Sequence, residues 1–378
     1  MLVAPLEVAT VAEASVATSV SPAVTPAYPG YGSTAVGAVG FEGLLAEEGD
    51  QAPRPIASIS KVVTALVVLD ARPLAGSEQG ETITLGSADT ALYSKYQSVG
   101  GKVEPMRAGW AFTQREMLQV MLVSSANNYA ELLAGWAFGS QDAFVAATAA
   151  WLSENGLTAT TITEPTGMSP LNVSSASDLV RLGMLALEHP VVADIVGTST
   201  VDLPGVGTIE NGNDLIGVGG VDGIKTGTLD EAGACLLFAT DVEVGGRTIT
   251  VVGVVLGGED HDTLDVAVRS LLDSVEAGFR EVRLASAGEV FADYSTDWGS
   301  TADAVAAEDV SIVVWSDTPV SVDIRPKPLE TGEQGDDAGR VRFSVGDQTA
   351  SVDLELSGSL DGPDAWWRLS HPLELISP

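Results

Sequence analysis

The 378-residue sequence is poor in the side chains that form cross-links or bind metals. Its single cysteine, Cys235, excludes an internal disulfide and any cysteine-rich metal site. The three histidines, His189, His261 and His371, are widely separated along the chain and leave little for a histidine-based metal cluster. The composition therefore predicts no metal site.

Positive charge is equally scarce. Only 18 lysines and arginines stand against 52 aspartates and glutamates, which gives a formal net charge of −34. A field of that sign repels phosphate backbones and anionic headgroups, so it excludes nucleic-acid binding and an electrostatic anchor on anionic lipid. Only five lysines could provide a reactive amine, at positions 61, 95, 102, 225 and 327.

Long hydrophobic runs are also missing. No stretch reaches the roughly 18 apolar residues of a membrane span, so we expect no membrane anchor in this chain. The first residues carry Glu7 and Glu13 without a basic leader, which does not fit a signal peptide. Residues 1–32 are rich in Ala, Val, Thr, Ser and Pro and predict a flexible linker.

What the chain does contain is a sizeable apolar fraction, 45% of its residues, which is enough for a packed core. Residues 33–285 mix strand and helix patterns and predict an α+β domain, in which helices flank an antiparallel sheet. Thr113 and Glu116 form a capping box that predicts the start of one helix. The predicted hairpin strands are 33–40 and 43–50, the later strands are 234–240 and 246–258, and the helices are 58–71, 113–124, 127–136, 140–156, 175–189 and 262–279.

Beyond residue 285 the pattern changes to short alternating runs separated by turn residues. This pattern predicts a small all-β domain over residues 286–378, similar to a sandwich. Its last predicted strand is the run WWRLSHPLEL, at 366–375.

The first candidate for chemistry is Ser58, which precedes Lys61 by three residues at the start of the predicted helix 58–71. This spacing places both side chains on one helix face, where lysine can act as the base for a serine nucleophile. A cap plus a surface lysine is the alternative. The apolar residues that follow Lys61 argue against it, because lysine is seldom buried without a function.

Two further motifs follow along the chain. Ser125 and Asn127 form S-x-N between two predicted helices, where both residue types are also common as helix N-caps. Lys225, Thr226 and Gly227 form K-T-G, which on a strand presents a cation, a hydroxyl and an approachable backbone. A turn with a solvated lysine is the alternative for this third motif.

The three motifs occur in the order S-x-x-K, S-x-N, K-T-G, which is the known signature of β-lactamases and penicillin-binding proteins. The chain resembles the D-alanyl-D-alanine carboxypeptidases among the low-molecular-weight penicillin-binding proteins. The resemblance covers residues 33–285 and implies a β-lactamase/DD-peptidase-like fold with a helical subdomain. It rests on the segments PIASISKVVTAL, EMLQVMLVSSANNYAELLA, EPTGMSPLNVSSASDL and GVDGIKTGTLDEAGACL.

The resemblance implies acyl transfer without a cofactor. Ser58 would be the nucleophile, Lys61 its base, and Ser125 the proton relay to the leaving amine. The pKa of Lys61 would have to fall, and burial with a like charge such as Lys225 would lower it. The implied substrate contacts are Asn127 for the amide, Lys225 and Thr226 for the terminal carboxylate, Gly227 for close approach, and the backbone N–H groups of Ser58 and Thr228 for the oxyanion.

The implied substrate is the peptidoglycan stem pentapeptide, β-lactams are the implied covalent inhibitors, and the implied location is the outer face of the bacterial cytoplasmic membrane. A β-lactamase, a DD-endopeptidase and a catalytically vestigial wall scaffold remain alternatives. Glu164 invites comparison with the deacylating glutamate of class A β-lactamases, but its surroundings resemble the carboxypeptidases instead. The two site lysines predict a local positive spot on a negative surface.

Overall fold

A computed structural model describes residues 6–15, 22–346 and 348–371. The chain divides into two compact units. The larger unit is Thr25–Glu276, and the second, here called the β unit, comprises Met1–Val24 and Ala277–Pro378. No helix among the described residues has the length and apolar character needed to cross a bilayer.

The helices are the 3-10 helix Ala57–Ile59 and α1 Ser60–Ala71, α2 Ala91–Gln97, α3 Gln114–Val123, α4 Asn127–Phe138, α5 Gln141–Glu154, α6 Ala176–Glu188, α7 Pro190–Val196, α8 His261–Glu276 and α9 Ala365–Ser370. The strands are β1 Thr10–Glu13, β2 Ser33–Ala38, β3 Ala46–Gly49, β4 Arg54–Pro55, β5 Thr82–Thr84, β6 Ala111–Thr113, β7 Val173–Ser174, β8 Thr200–Leu203, β9 Gly207–Glu210, β10 Val221–Leu229, β11 Gly233–Val244, β12 Arg247–Gly258, β13 Phe279–Ala285, β14 Val290–Ser295, β15 Thr301–Ala306, β16 Val310–Trp315, β17 Val320–Pro326, β18 Asp337–Val345 and β19 Gln348–Leu356.

The larger unit is organised by an antiparallel five-stranded sheet with the order β10-β11-β12-β2-β3. The predicted hairpin is confirmed, with Val36 opposite Ala46. Helices α6 and α8 pack against the sheet. A Cβ on Gly183 of α6 would lie 2.5 Å from Val252 Cγ1, so glycine permits the close approach of helix and sheet. The α+β prediction is confirmed.

Helix α1 is the central helix of this unit. All residues from Ser60 to Leu69 are buried, and α3, α4, α5 and α6 pack around them. A helix that is apolar almost all round is stable only inside such a shell. The sequence therefore placed this helix correctly, and Lys61 lies in its buried first turn.

The capping box at the start of α3 is also confirmed. The Thr113 hydroxyl accepts from the Glu116 backbone N–H, and the Glu116 carboxylate accepts from the Thr113 N–H. These bonds satisfy two of the N–H groups that a helix start leaves unpaired. They fix the start of α3, which leads through residues 124–126 into α4.

The β unit contains a six-stranded sheet with the order β1-β14-β15-β19-β18-β17. The linker predicted for residues 1–32 does not hold for Thr10–Glu13, which pair as β1 with β14, and Ala9 is buried in this unit's core. A four-residue strand such as Thr10–Glu13 is too short for its sequence to distinguish it from a linker without its partner strand. Residues 1–5 and 16–21 lie outside the described part.

Two further expectations for this unit need correction. Strand β13 pairs with β16, so the division between the units falls near residue 276 rather than 285. The last predicted strand is instead the helix α9, because the Asp364 carboxylate caps it by accepting from the Trp367 N–H. The rest of that run, from residue 372, lies outside the described residues.

We expect Thr113→Ala to lower the free energy of unfolding by about 1 kcal/mol, because it removes the side-chain half of the capping box. In a thermal melt this corresponds to a decrease of roughly 2–4 °C in the midpoint. Thr84→Ala, at an exposed strand position, is the control. Equal midpoints for the two variants would show that the capping box contributes no stability.

Candidate active site

Ser58 lies in the 3-10 helix that immediately precedes α1. Its neighbour Ala57 has a φ of 46°, a left-handed conformation that a residue with a Cβ rarely adopts. Such strain persists only where the surrounding structure holds it in place, and it is common at functional sites. Ser58 itself is half-buried, with its hydroxyl directed towards Lys61.

Lys61 is completely buried and reaches three oxygen atoms. Its Nζ lies 3.0 Å from Ser58 Oγ, 2.6 Å from Asn127 Oδ1 and 2.6 Å from the Thr166 carbonyl oxygen. The expected pairing of Ser58 with Lys61 is therefore present in the structure.

These three contacts are chemically unequal. The Asn127 and Thr166 oxygens can only accept hydrogen bonds, whereas the Ser58 hydroxyl can also donate. A neutral amine has two N–H groups and one lone pair. Its two N–H groups can satisfy the two carbonyl oxygens, which leaves the lone pair facing the Ser58 O–H. This is the arrangement that a general base requires.

Burial also prepares Lys61 for that role, because it disfavours the charged form and lowers the pKa of Lys61 to about 7. The positive charge of Lys102 acts in the same direction, and the negative charge of Glu164 opposes it. The sequence analysis had named Lys225 as the like charge. Lys225 is itself buried with a lowered pKa, and the like charge that acts on Lys61 is that of the exposed Lys102.

The second motif does not serve as a helix cap. Ala126 is the N-cap of α4 and no side chain caps it, while Asn127 is the first helical residue. Ser125 is buried and has a φ of 64°, a second strained position, two residues before Asn127. The Asn127 backbone N–H donates to the Lys102 carbonyl oxygen at 2.8 Å, and its side chain accepts from Lys61. Asn127 thus joins the first two motifs directly.

The third motif lies in the middle of β10, an edge strand of the sheet, and not in a turn. Lys225 is 1% exposed and Thr226 is buried. Burial and the positive charges of Lys61 and Lys102 hold the pKa of Lys225 well below its usual range. Lys225 is therefore neither solvated nor in a turn, and that alternative is wrong.

Two glycines allow the backbone to close around Ser58. A Cβ on Gly227 would lie 3.3 Å from the Ser58 nitrogen and 3.0 Å from the Ile56 carbonyl oxygen. A Cβ on Gly167 would lie 2.0 Å from the Ala57 carbonyl oxygen. The glycine of K-T-G is thus required by the contact of β10 with the segment that carries Ser58, in addition to any approach of a substrate.

The structure also shows a contact at the end of K-T-G that the sequence did not predict. His261, at the start of α8, has its Nε2 2.8 Å from Oγ1 of Thr228, the residue after K-T-G. Burial lowers the pKa of His261, and the positive charge of Lys102 adds to this. No local motif marks this histidine, since only the fold brings α8 to the end of β10.

Glu164 has a structural role in the loop that presents the Thr166 carbonyl to Lys61. Its carboxylate accepts from the backbone N–H groups of Thr166 and Gly167, both at 2.7 Å, and from Asn172 Nδ2 at 3.1 Å. These hydrogen bonds fix the carboxylate within the loop and hold the backbone of Thr166 and Gly167 in place. Glu164 therefore stabilises the loop, a role that the sequence did not predict.

We expect the rate of Ser58 acylation to rise with pH through an ionisation near 7, because only neutral Lys61 can accept the serine proton. Below that pH the rate should fall by about tenfold per unit. The measurement is kcat/KM for acylation by a fluorescent penicillin across pH. Lys95→Met, at an exposed lysine paired with Glu131, should leave the profile unchanged. If the rate instead rises through an ionisation near pH 4 to 5, which is typical of a carboxylate (~4.3), the base is another residue.

Comparisons with known proteins agree with this geometry. The sequence profile of the D-alanyl-D-alanine carboxypeptidase family, peptidase S11, matches residues 42–259. A D-alanyl-D-alanine endopeptidase of Pseudomonas aeruginosa is 35% identical over 196 residues. That match covers 50% of this chain and 60% of the relative, so the chain spans less than two thirds of that protein.

Solved structures show the same fold. The peptidoglycan synthesis regulatory factor (PBP3) from Streptococcus pneumoniae has a TM-score of 0.65 at 25% identity, covering 89% of this chain and 99% of that one. Penicillin-binding protein D2 from Listeria monocytogenes, in an ampicillin-bound form, has a TM-score of 0.53 at 28% identity and covers 67% and 99%. The signature motifs, the shared fold and the extent of the family match together lead to one conclusion: the chain belongs to the D-alanyl-D-alanine carboxypeptidase family of serine peptidases.

Proposed function

We propose that the protein is a serine-type D-Ala-D-Ala carboxypeptidase that removes the terminal D-alanine of peptidoglycan stem peptides. The observation that carries the proposal is the fully buried Lys61, with its Nζ 3.0 Å from Ser58 Oγ and its pKa lowered to about 7. A buried lysine with this partner is costly to the fold and is suited to removing a proton from serine. The family assignment supports the same chemistry.

In the acylation step, Ser58 Oγ attacks the carbonyl carbon between the two D-alanines while Lys61 takes the hydroxyl proton. The carbonyl oxygen becomes an oxyanion, which the backbone N–H groups of Ser58 and Thr228 stabilise. The C–N bond then breaks, and Ser125 relays a proton to the leaving D-alanine amine. Water hydrolyses the acyl-enzyme and regenerates the Ser58 hydroxyl.

Substrate binding uses the second and third motifs. Asn127 orients the amide of the penultimate residue, and Gly227 lets the peptide lie close to the open edge of β10. Lys225 and Thr226 select the free terminal carboxylate from the same strand. A substrate of this kind places the protein on the outer face of the bacterial cytoplasmic membrane. No step requires a metal or an organic cofactor.

A DD-endopeptidase is the second candidate, because the Pseudomonas aeruginosa relative carries that name. Both activities cleave a bond after D-alanine through the same acyl-enzyme and differ in the leaving group. The ampicillin-bound form of the Listeria monocytogenes protein supports a further part of the proposal, that β-lactams acylate Ser58.

The experiment is the release of D-alanine from diacetyl-Lys-D-Ala-D-Ala. We expect wild-type protein to release it and Ser58→Ala to lose at least about 1000-fold in kcat, because the nucleophile is removed. Ser60→Ala is the matched control. The Ser60 hydroxyl donates to the Ala57 carbonyl at 2.8 Å and accepts from Asn172, so it is already engaged in packing.

Parallel assays separate the alternatives. Release from a cross-linked muropeptide but not from the pentapeptide would favour the endopeptidase, and rapid turnover of nitrocefin would favour a β-lactamase. If fluorescent penicillin does not label the wild type covalently, the enzyme proposal is overturned and a catalytically vestigial scaffold is the remaining interpretation. Labelling that persists in Ser58→Ala would overturn only the assignment of the nucleophile.

A further inference from the structure

Lys102 differs from the other lysines in its lack of a partner. Lys95 pairs with Glu131 at 2.5 Å, Lys327 pairs with Asp337 at 2.9 Å, and Lys61 and Lys225 are buried. Lys102 is exposed, and no carboxylate among the described residues lies within ion-pair distance of it. In a chain with 52 acidic residues, an exposed lysine without a carboxylate partner is available for an external anion.

The ammonium of Lys102 lies beside the K-T-G strand, across a space that glycine keeps open. A Cβ built on Gly212 would lie 3.3 Å from Lys102 Nζ and 3.3 Å from Thr226 Oγ1. The cation and the hydroxyl therefore flank one small gap, which any larger residue at position 212 would fill. An ammonium and a hydroxyl are the donors that recognise a carboxylate.

The position of Lys102 is fixed by the site itself. Its carbonyl oxygen accepts from the Asn127 backbone N–H at 2.8 Å, and a Cβ on the preceding Gly101 would lie 2.5 Å from Asn127 Nδ2. The segment thus packs tightly on the S-x-N motif. The positive charge of Lys102 also lowers the pKa of Lys61 and Lys225, which shows that the charge reaches the reacting groups.

Lys225, the cation that the motif would assign to the carboxylate, is 1% exposed. The contribution of Lys225 to carboxylate selection is therefore indirect, from within the site. A direct ion pair with an incoming substrate requires a further cation at the surface, where the carboxylate can displace water around it. We infer that Lys102 binds the terminal carboxylate of the substrate, together with the Thr226 hydroxyl and across the gap at Gly212. The inference rests on the proposed function and names a specificity-determining residue for it.

The test compares two peptides, diacetyl-Lys-D-Ala-D-Ala and its C-terminal carboxamide, which share the scissile bond but differ in charge. We expect Lys102→Met to raise KM for the acid by about tenfold or more, since a charge-assisted hydrogen bond is lost, and to leave KM for the carboxamide nearly unchanged. Lys102→Arg should retain the preference for the acid. Gly212→Ala should weaken the preference in the same direction as Lys102→Met. Lys327→Met, in the β unit, is the matched control.

Acylation by benzylpenicillin and by its methyl ester is measured in parallel, since this pair also differs in one carboxylate. Lys102→Met should slow acylation by the acid selectively. If the wild type is active and Lys102→Met has the same effect on the charged and the uncharged member of each pair, the inference about Lys102 is overturned and the proposed function is not. A wild type that releases no D-alanine but is acylated would overturn the carboxypeptidase proposal while the penicillin pair still tests Lys102. A wild type inactive in both assays would overturn both proposals.

Discussion

The site depends on the burial of one amine. Lys61 lies in a helix that is mostly apolar, and three oxygens from separate segments surround its Nζ. Two of these oxygens only accept hydrogen bonds, so they fix the N–H groups and leave the remaining position for Ser58. Low polarity lowers the pKa of Lys61, and the same enclosure orients it. A buried amine of this kind is unfavourable for folding unless all its partners are in place.

Much of the surrounding structure serves to bring those partners together. The Glu164 carboxylate holds the loop that carries the Thr166 carbonyl, and Asn127 starts α4 with its side chain on Lys61. Gly167 and Gly227 let this loop and β10 close on the Ser58 segment without a side chain between them. Strain at Ala57 and Ser125 falls on the same small volume, which indicates that packing outweighs local backbone preference there.

The elements that the sequence predicted well are those with strong local signals. The central helix, the capping box of α3 and the first hairpin follow from periodicity and turn chemistry, and the structure confirms them. One error lies where a segment depends on a distant partner, and the other where a local cap was not recognised. Thr10–Glu13 becomes a strand only because β14 is beside it, and Asp364 converts an expected strand into α9 through a single cap.

The sequence by itself determined which side chains form the candidate site, because the order and spacing of S-x-x-K, S-x-N and K-T-G are read directly from the chain and Ser58 and Lys61 are three residues apart. Only the tertiary structure decided the electrostatics. Whether a lysine is buried against a serine, buried in a strand or exposed at the surface depends on what packs around it, as Lys61, Lys225 and Lys102 illustrate. The contacts of Thr166 with Lys61 and of His261 with Thr228 likewise join segments more than 30 residues apart in the chain, which no local pattern encodes.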